Sequence, residues 1–135
     1  MSQENVEIVR GAWKAWERGD MEAIFALYDP SIVWDQTHYR AGDLSGVYHG
    51  HDGIKLFFRA WLSPFESYYA HAEEFIDAGE AVMVRIRQGG RGRQSGADVE
   101  MPPYWQVYRL RDGLAVRIEV YSDRAEAIKA VGLEE

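Results

Sequence analysis

The sequence predicts an α+β fold in which helices pack on one face of a strongly curved antiparallel sheet. Three observations predict it. Apolar residues recur at steps of three and four through the first half of the chain, up to Pro64. Beyond Pro64 the pattern changes to two-residue alternation over long stretches. Two hairpin signals, Asp77-Ala78-Gly79-Glu80 and Arg111-Asp112-Gly113, then join neighbouring runs. Helices first and a strand meander after is the element order of an α+β domain.

Residues 3–18 place Val6, Val9, Trp13 and Trp16 on one side and charged residues on the other, an amphipathic helix with an aromatic stripe. Gly19 ends it, and Asp20 is a suitable N-cap for a short helix over 21–28. Pro30 forbids its continuation. Residues 32–36 read as a strand and 37–50 as a loop. Asp52 is expected to cap a third helix that buries Ile54, Phe57, Phe58, Trp61 and Leu62, with Pro64 closing it. Four strands follow, over 68–78, 80–88, 98–111 and 114–121. Residues 89–96 read as a flexible hairpin tip; its two arginines and its glycines lack the ending of a phosphate loop. Asp123, with Glu126 three residues on, begins a last helix that stops at Gly132.

Bulk properties narrow the function. A length of 135 residues suits one domain, 1–135, with a core of its own. No cysteine is present, which excludes disulfide and thiolate chemistry and fits a cytoplasmic location. The polar, acidic start is no secretory signal, and no apolar run approaches the ~20 residues of a membrane helix. A net charge of −7 argues against nucleic acid and anionic membranes as partners. No dinucleotide fingerprint, phosphate loop or zinc spacing occurs, so neither cofactor nor metal is expected. His49-Gly50-His51-Asp52 has too few ligands for a metal site. There His51 or Asp52 caps the third helix and His49 sits at a pocket rim. His71 is expected to face solvent. Five Trp and eight Tyr exceed what a minimal core requires and suggest an aromatic-lined pocket, a sticky interface, or both.

The segments Trp16-Glu17-Arg18-Gly19-Asp20, Tyr28-Asp29-Pro30-Ser31-Ile32-Val33-Trp34, Tyr48-His49-Gly50-His51-Asp52-Gly53-Ile54, Tyr108-Arg109-Leu110-Arg111-Asp112-Gly113 and Tyr121-Ser122-Asp123-Arg124-Ala125-Glu126-Ala127 occur in a telling order. In that order the chain resembles the SnoaL-like proteins of the nuclear transport factor 2-like superfamily over nearly its whole length. The resemblance implies a cone-shaped, often dimeric fold with a pocket between helices and concave sheet. The superfamily holds steroid isomerases, polyketide cyclases, epoxide hydrolases, dehydratases and domains that only bind or scaffold, so fold barely constrains function. By the resemblance, the isomerase's proton-shuttling Asp falls on Asp35 and its oxyanion-hole acid near Gln106. Its oxyanion-hole tyrosine falls near Ala12, which makes steroid isomerisation itself a poor match.

Two readings of Asp35 follow. As a base it would face the cone beside Gln106, provided Val33 and Asp35 share a side. Trp13, Trp61, Val84, Tyr104, Tyr108 and Ile118 would wall it as the ligand site, and Gln106 and His49 would polarise the substrate. Burial without a cation would then raise its pKa. As a bland alternative it is a strand-end acid, and a one-residue slip would send Trp34 inward instead. His38 could exchange protons with Asp35 or simply be a solvated loop residue. Arg85, Arg87 and Glu119 are expected to pair on the outer face. Three functions remain open: a cofactor-free proton-transfer enzyme of isomerase, cyclase, dehydratase or hydrolase type; a non-catalytic pocket for an apolar or aromatic ligand; and a dimerisation module. Trp34, Trp105 and Val107, expected on the outer sheet face, predict a homodimer.

Overall fold

A computed structural model of the chain describes residues 2–40 and 44–133. The expected loop over 37–50 therefore lies in part outside the described residues. The order of elements is α1 (Ser2–Glu17), α2 (Met21–Ala26), β1 (Tyr28–His38), β2 (Val47–His49), α3 (Gly50–Leu62), β3 (Phe65–Ala78), β4 (Ala81–Gly92), β5 (Asp98–Arg111), β6 (Leu114–Tyr121) and α4 (Arg124–Ala130). The six strands form one curled, unclosed sheet in the order β2-β1-β6-β5-β4-β3. The α+β expectation holds.

Local chemistry sets the element ends. Asp20 accepts a hydrogen bond from the Ala23 amide at 3.0 Å and starts α2. Asp123 accepts from the Ala125 amide at 2.8 Å and starts α4. Glu126 does not complete a capping box there; its carboxylate pairs with Arg40. At α3 the N-cap position falls on His49, which makes no capping bond, and Asp52 lies inside the first turn.

Three boundaries differ from expectation. Pro30 does stop α2, but the strand begins earlier, at Tyr28, so Pro30 sits inside β1. The short β2 pairs antiparallel with β1, as Trp34 opposite Tyr48 shows. The glycines expected in a hairpin tip belong to β4. Gly89 pairs with Tyr69 and with Glu100, and a Cβ there would stand 2.5 Å from the Tyr69 hydroxyl and from the Val99 carbonyl. Glycine is needed because neighbouring chains cross that space. The tip's arginines are already engaged: Arg91 with Asp98, and Arg93 with the Ser63 and Phe65 carbonyls.

One pairing breaks the antiparallel rule. β1 runs parallel to β6, and every other neighbouring pair is antiparallel. Its register sorts the two faces. Trp34, Ile118, Tyr108 and Val82 form one row across four strands. The next row is Asp35, Glu119, Val107 and Met83. Successive residues point to opposite faces, so the rows lie on opposite sides of the sheet.

The first row faces α1, α2 and α3 and belongs to the main core, with Val9, Trp13, Ile24, Phe25, Ile54 and Phe57. The second row faces α4. Met83, Trp105, Val107 and Tyr121 pack there against Ala127 and Ile128, and Val107 is wholly buried. Trp105 and Val107 are thus on the expected face, but α4 covers them. Trp34 is on the opposite face. The apolar outer surface on which a homodimer was expected does not exist in that form.

Candidate functional site

A pocket opens between the helices and the concave face of the sheet. It encloses about 680 Å³ of space free of atoms, open solvent at its mouth included. Helix α1 contributes Ala12, Trp13 and Trp16, and α3 contributes Phe57, Phe58, Trp61 and Leu62. The sheet supplies Tyr28, Trp34 and Gln36 from β1, Tyr68 and Ala70 from β3, Tyr104, Gln106 and Tyr108 from β5, and Val120 from β6. Ile24 and Tyr39 complete the wall. The helical spacing of Trp13 and Trp16, and of Phe57, Phe58 and Trp61, turns rings onto one side of each helix. Edge-to-face contacts lock them, such as Trp34 on Phe58 at 5.3 Å and Tyr39 on Trp61 at 5.5 Å.

Among the described residues no Asp, Glu, His, Lys or Arg lines it, and the ionisable groups that do are tyrosines. Burial pushes the Tyr104 and Tyr108 phenols well above their ordinary value. Burial likewise pushes Tyr68 up to about 12. These rings are neutral at physiological pH.

The polar groups form short chains. Tyr68 donates to Gln88 Oε1 at 2.6 Å, and Gln88 Nε2 donates to the Tyr39 hydroxyl at 3.1 Å and to the Pro102 carbonyl at 3.2 Å. Gln88 is wholly buried and satisfied, and it fixes two of the wall tyrosines. Tyr108 donates to Gln106 Oε1 at 2.6 Å. The Trp34 indole donates to Gln36 Oε1 at 2.7 Å. The Trp13 indole N–H is buried without a hydrogen-bond partner among the described residues.

The expected site residues separate into three groups. Trp13, Trp61, Tyr104, Gln106 and Tyr108 line the pocket as expected. Val84 and Ile118 are wholly buried in the same core but lie outside the lining. Asp35 and His49 do not reach it. His49 is exposed at the start of α3. Its neighbour His51 holds the Tyr28 carbonyl at 3.0 Å.

Asp35 requires the larger correction. Its carboxylate lies on the α4 side of the sheet, where Arg117 donates to Oδ2 at 2.7 Å. The Thr37 hydroxyl and amide donate to Oδ1 at 2.5 and 2.9 Å. His38 stands 3.9 Å away, its ring stacked on Tyr121. Burial alone would raise the Asp35 pKa, but Thr37, Arg117 and His38 together hold it below its ordinary value. This is the opposite of the raised acid expected of a pocket base. The cation expected to be absent is Arg117.

The same cluster includes Glu119, which accepts from Arg117 at 2.8 Å, Arg109 at 3.0 Å and Tyr121 at 2.9 Å. Arg109 also holds the Ala130 carbonyl at 3.1 Å, at the end of α4. Burial pushes Glu119 up, and these three donors outweigh it. Glu119 therefore does not pair with Arg85 and Arg87, as had been expected; both of those contact Glu73. His71 is exposed and stacked on Tyr69, as expected.

Gln36 and Trp34 are among the pocket residues that sequence reasoning missed, with Tyr28, Tyr39, Tyr68 and Val120. The signal was there: Ile32, Trp34 and Gln36 share one side of β1, and two large apolar residues outvote the lone Val33 beside Asp35.

Comparison with known proteins agrees with this architecture. Among solved structures, an NTF2-like protein of unknown function from Burkholderia pseudomallei is 27% identical over 96% of this chain and 98% of its own, with a TM-score of 0.75. A second NTF2-like protein, from Burkholderia thailandensis, is 26% identical over 93% of this chain and 95% of its own, with a TM-score of 0.77. TerC, solved after co-crystallisation with polyporic acid, shares the fold at 23% identity over 95% of this chain and 98% of its own, with a TM-score of 0.74. No curated protein matches the chain. The family model of the SnoaL-like domain matches residues 9–118, and the chain belongs to that family.

Proposed function

We propose that this protein binds a flat, apolar or aromatic small molecule in the pocket between its helices and its sheet, without catalysing a proton transfer there. One observation carries the reading: a wall rich in aromatic rings in which, among the described residues, no side chain is able to act as a base near neutrality. A proton-transfer catalyst needs a group within hydrogen-bond reach of the substrate whose pKa lies near the working pH. The acid expected in that role is on the other face, paired with Arg117. The neutral tyrosines and glutamines suffice to orient a ligand. A structural neighbour co-crystallised with polyporic acid supports small-molecule binding in this fold.

A homodimer is not part of the proposal, because α4 covers the surface that suggested it. Among the described residues no helix is long and apolar enough to cross a membrane.

Tryptophan fluorescence and thermal unfolding with a panel of bicyclic and tricyclic aromatics test the reading. Several should quench the pocket tryptophans and raise the melting temperature. Ala12→Phe, which fills the pocket from α1, should remove both effects while leaving a cooperative unfolding transition. Failure of all aromatics to bind a folded protein would overturn the proposal, as would turnover of a bound compound that persists in Asp35→Asn.

A further inference from the structure

Among the described residues, three buried polar side-chain atoms have no hydrogen-bond partner: Trp13 Nε1, Trp105 Nε1 and Glu126 Oε2. Two of them lie away from the pocket. Trp105 is on the outer face of the sheet, with the Arg85 guanidinium 5.9 Å from its ring centre. Glu126 belongs to α4, and its other carboxylate oxygen holds Arg40. Trp13 alone of the three lines the pocket.

An indole nitrogen can only donate, so its role is not in question. Other polar groups of the wall have partners within the protein. The Trp34 indole meets Gln36 at 2.7 Å, and Tyr68 and Tyr39 share the buried Gln88 at 2.6 and 3.1 Å. A buried donor with no acceptor is costly. A wall that keeps one suits a ligand that brings the acceptor.

Burial and charge narrow what that acceptor is. Trp13 is 8% exposed, while Trp16, Phe58, Trp61 and Tyr68 of the same wall are only partly buried. A ligand entering past these outer rings meets the indole with its leading end. Among the described residues no cation lines the pocket. A carboxylate carried to that depth would lose its hydration with no counter-charge in return, whereas a neutral carbonyl loses far less.

Resting on the binding reading above, we propose that Trp13 is the specificity residue of the pocket, its indole N–H donating to the carbonyl oxygen at the inserted end of a flat ligand. The ligand class is then uncharged aromatic carbonyl compounds, of which aryl ketones are the simplest.

Three probes share one ring system: 2-acetylnaphthalene has a neutral carbonyl, 2-ethylnaphthalene has none, and 2-naphthoate has a negative charge. Calorimetry should give the ketone about tenfold tighter binding than either of the others, the gain from meeting one buried donor. Trp13→Phe keeps an aromatic ring and removes the N–H. It should bring ketone and hydrocarbon to equal affinity, whatever it does to both together. A second reading uses the unaltered chain and does not depend on the folding of that variant. Its five tryptophans each give an indole N–H signal in ¹⁵N-resolved spectra. The ring currents of ketone and hydrocarbon are alike, so the Trp13 signal should move further downfield with the ketone. The Trp105 signal should stay in place with both. Equal binding of ketone and hydrocarbon, with equal shifts at Trp13, would overturn this inference and leave the apolar pocket standing. A preference for the ketone that persists in Trp13→Phe, or tighter binding of naphthoate, would also overturn it. Absence of binding by all three, with no shift of pocket ring signals, would remove the binding reading and this inference with it.

Discussion

Asp35 shows how much can turn on one residue of register. A carboxylate among aromatics suggested a pocket base, yet β1 turns Trp34 and Gln36 inward and hands Asp35 to Arg117. Its work is structural, so Asp35→Asn should leave the affinity for a pocket ligand within about twofold and lower stability by about 1–3 kcal/mol, the weakening of its charge-assisted hydrogen bonds to Arg117 and Thr37. Ligand titration and urea unfolding of the same variant check the two halves. A loss of affinity with stability intact would mean that the carboxylate does act on the pocket. Part of the aromatic wall was legible because helical spacing fixes a face whatever the neighbours do: Trp13 and Trp61 fell where expected, whereas the side taken by Tyr104 and Tyr108 on β5 came from the family resemblance. A short strand offers no such redundancy. Gln36 escaped notice because an amide carries no charge and belongs to no motif.

At the scale of elements, α4 and the glycine stretch of β4 differ most from expectation. The last helix was visible from Asp123 and Gly132, but its docking on the outer sheet face was not, because its apolar residues are few. Once there, Ala127 and Ile128 seal Trp105 and Val107, and Arg109 ties the Ala130 carbonyl to the sheet. Ile128→Ala should cost about 2–4 kcal/mol in urea unfolding, the usual range for a buried large-to-small change. It should also expose enough of Trp105 to raise its accessibility to iodide quenching. In β4, Gly89→Ala would drive a methyl against Tyr69 and the Val99 carbonyl at 2.5 Å. Overpacking of this kind costs about 1–3 kcal/mol. Thermal unfolding should show the loss, and Tyr69→Ala combined with Gly89→Ala should recover only part of it, because the carbonyl contact remains. Glycine clusters read as loops by composition alone; the cross-strand crowding that demands them is a tertiary fact.

The whole molecule separates its charges from its cavity. The helix-facing side of the sheet carries neutral donors and rings, while the α4 side carries Asp35, Glu119, Arg109 and Arg117 in one network. The overall fold was readable because helix order, strand alternation and turn chemistry agree with one another, whereas this division depends on the parallel β1–β6 register, which links residues 28–38 to 115–121 across most of the chain. The division predicts two distinct pH profiles. Asp35 and Glu119 have folded-state pKa values below the ordinary 3.8 and 4.5. Their stabilisation is complete above those ordinary values and is lost as pH falls through the lower, folded ones. The buried phenols act at the other end: Tyr68, raised from 10.0 to about 12, contributes fully below pH 10 and loses that contribution as pH rises towards 12. Stability should therefore be level through neutrality and fall at both extremes. The affinity for any uncharged probe that binds the pocket should stay constant within about twofold from pH 6 to 9, because no lining group among the described residues titrates there. Calorimetry at half-unit intervals checks this against urea unfolding at the same pH values. A sigmoidal change in affinity with a midpoint in that range, without a parallel change in stability, would place an ionising group at the ligand and overturn the neutral-pocket account.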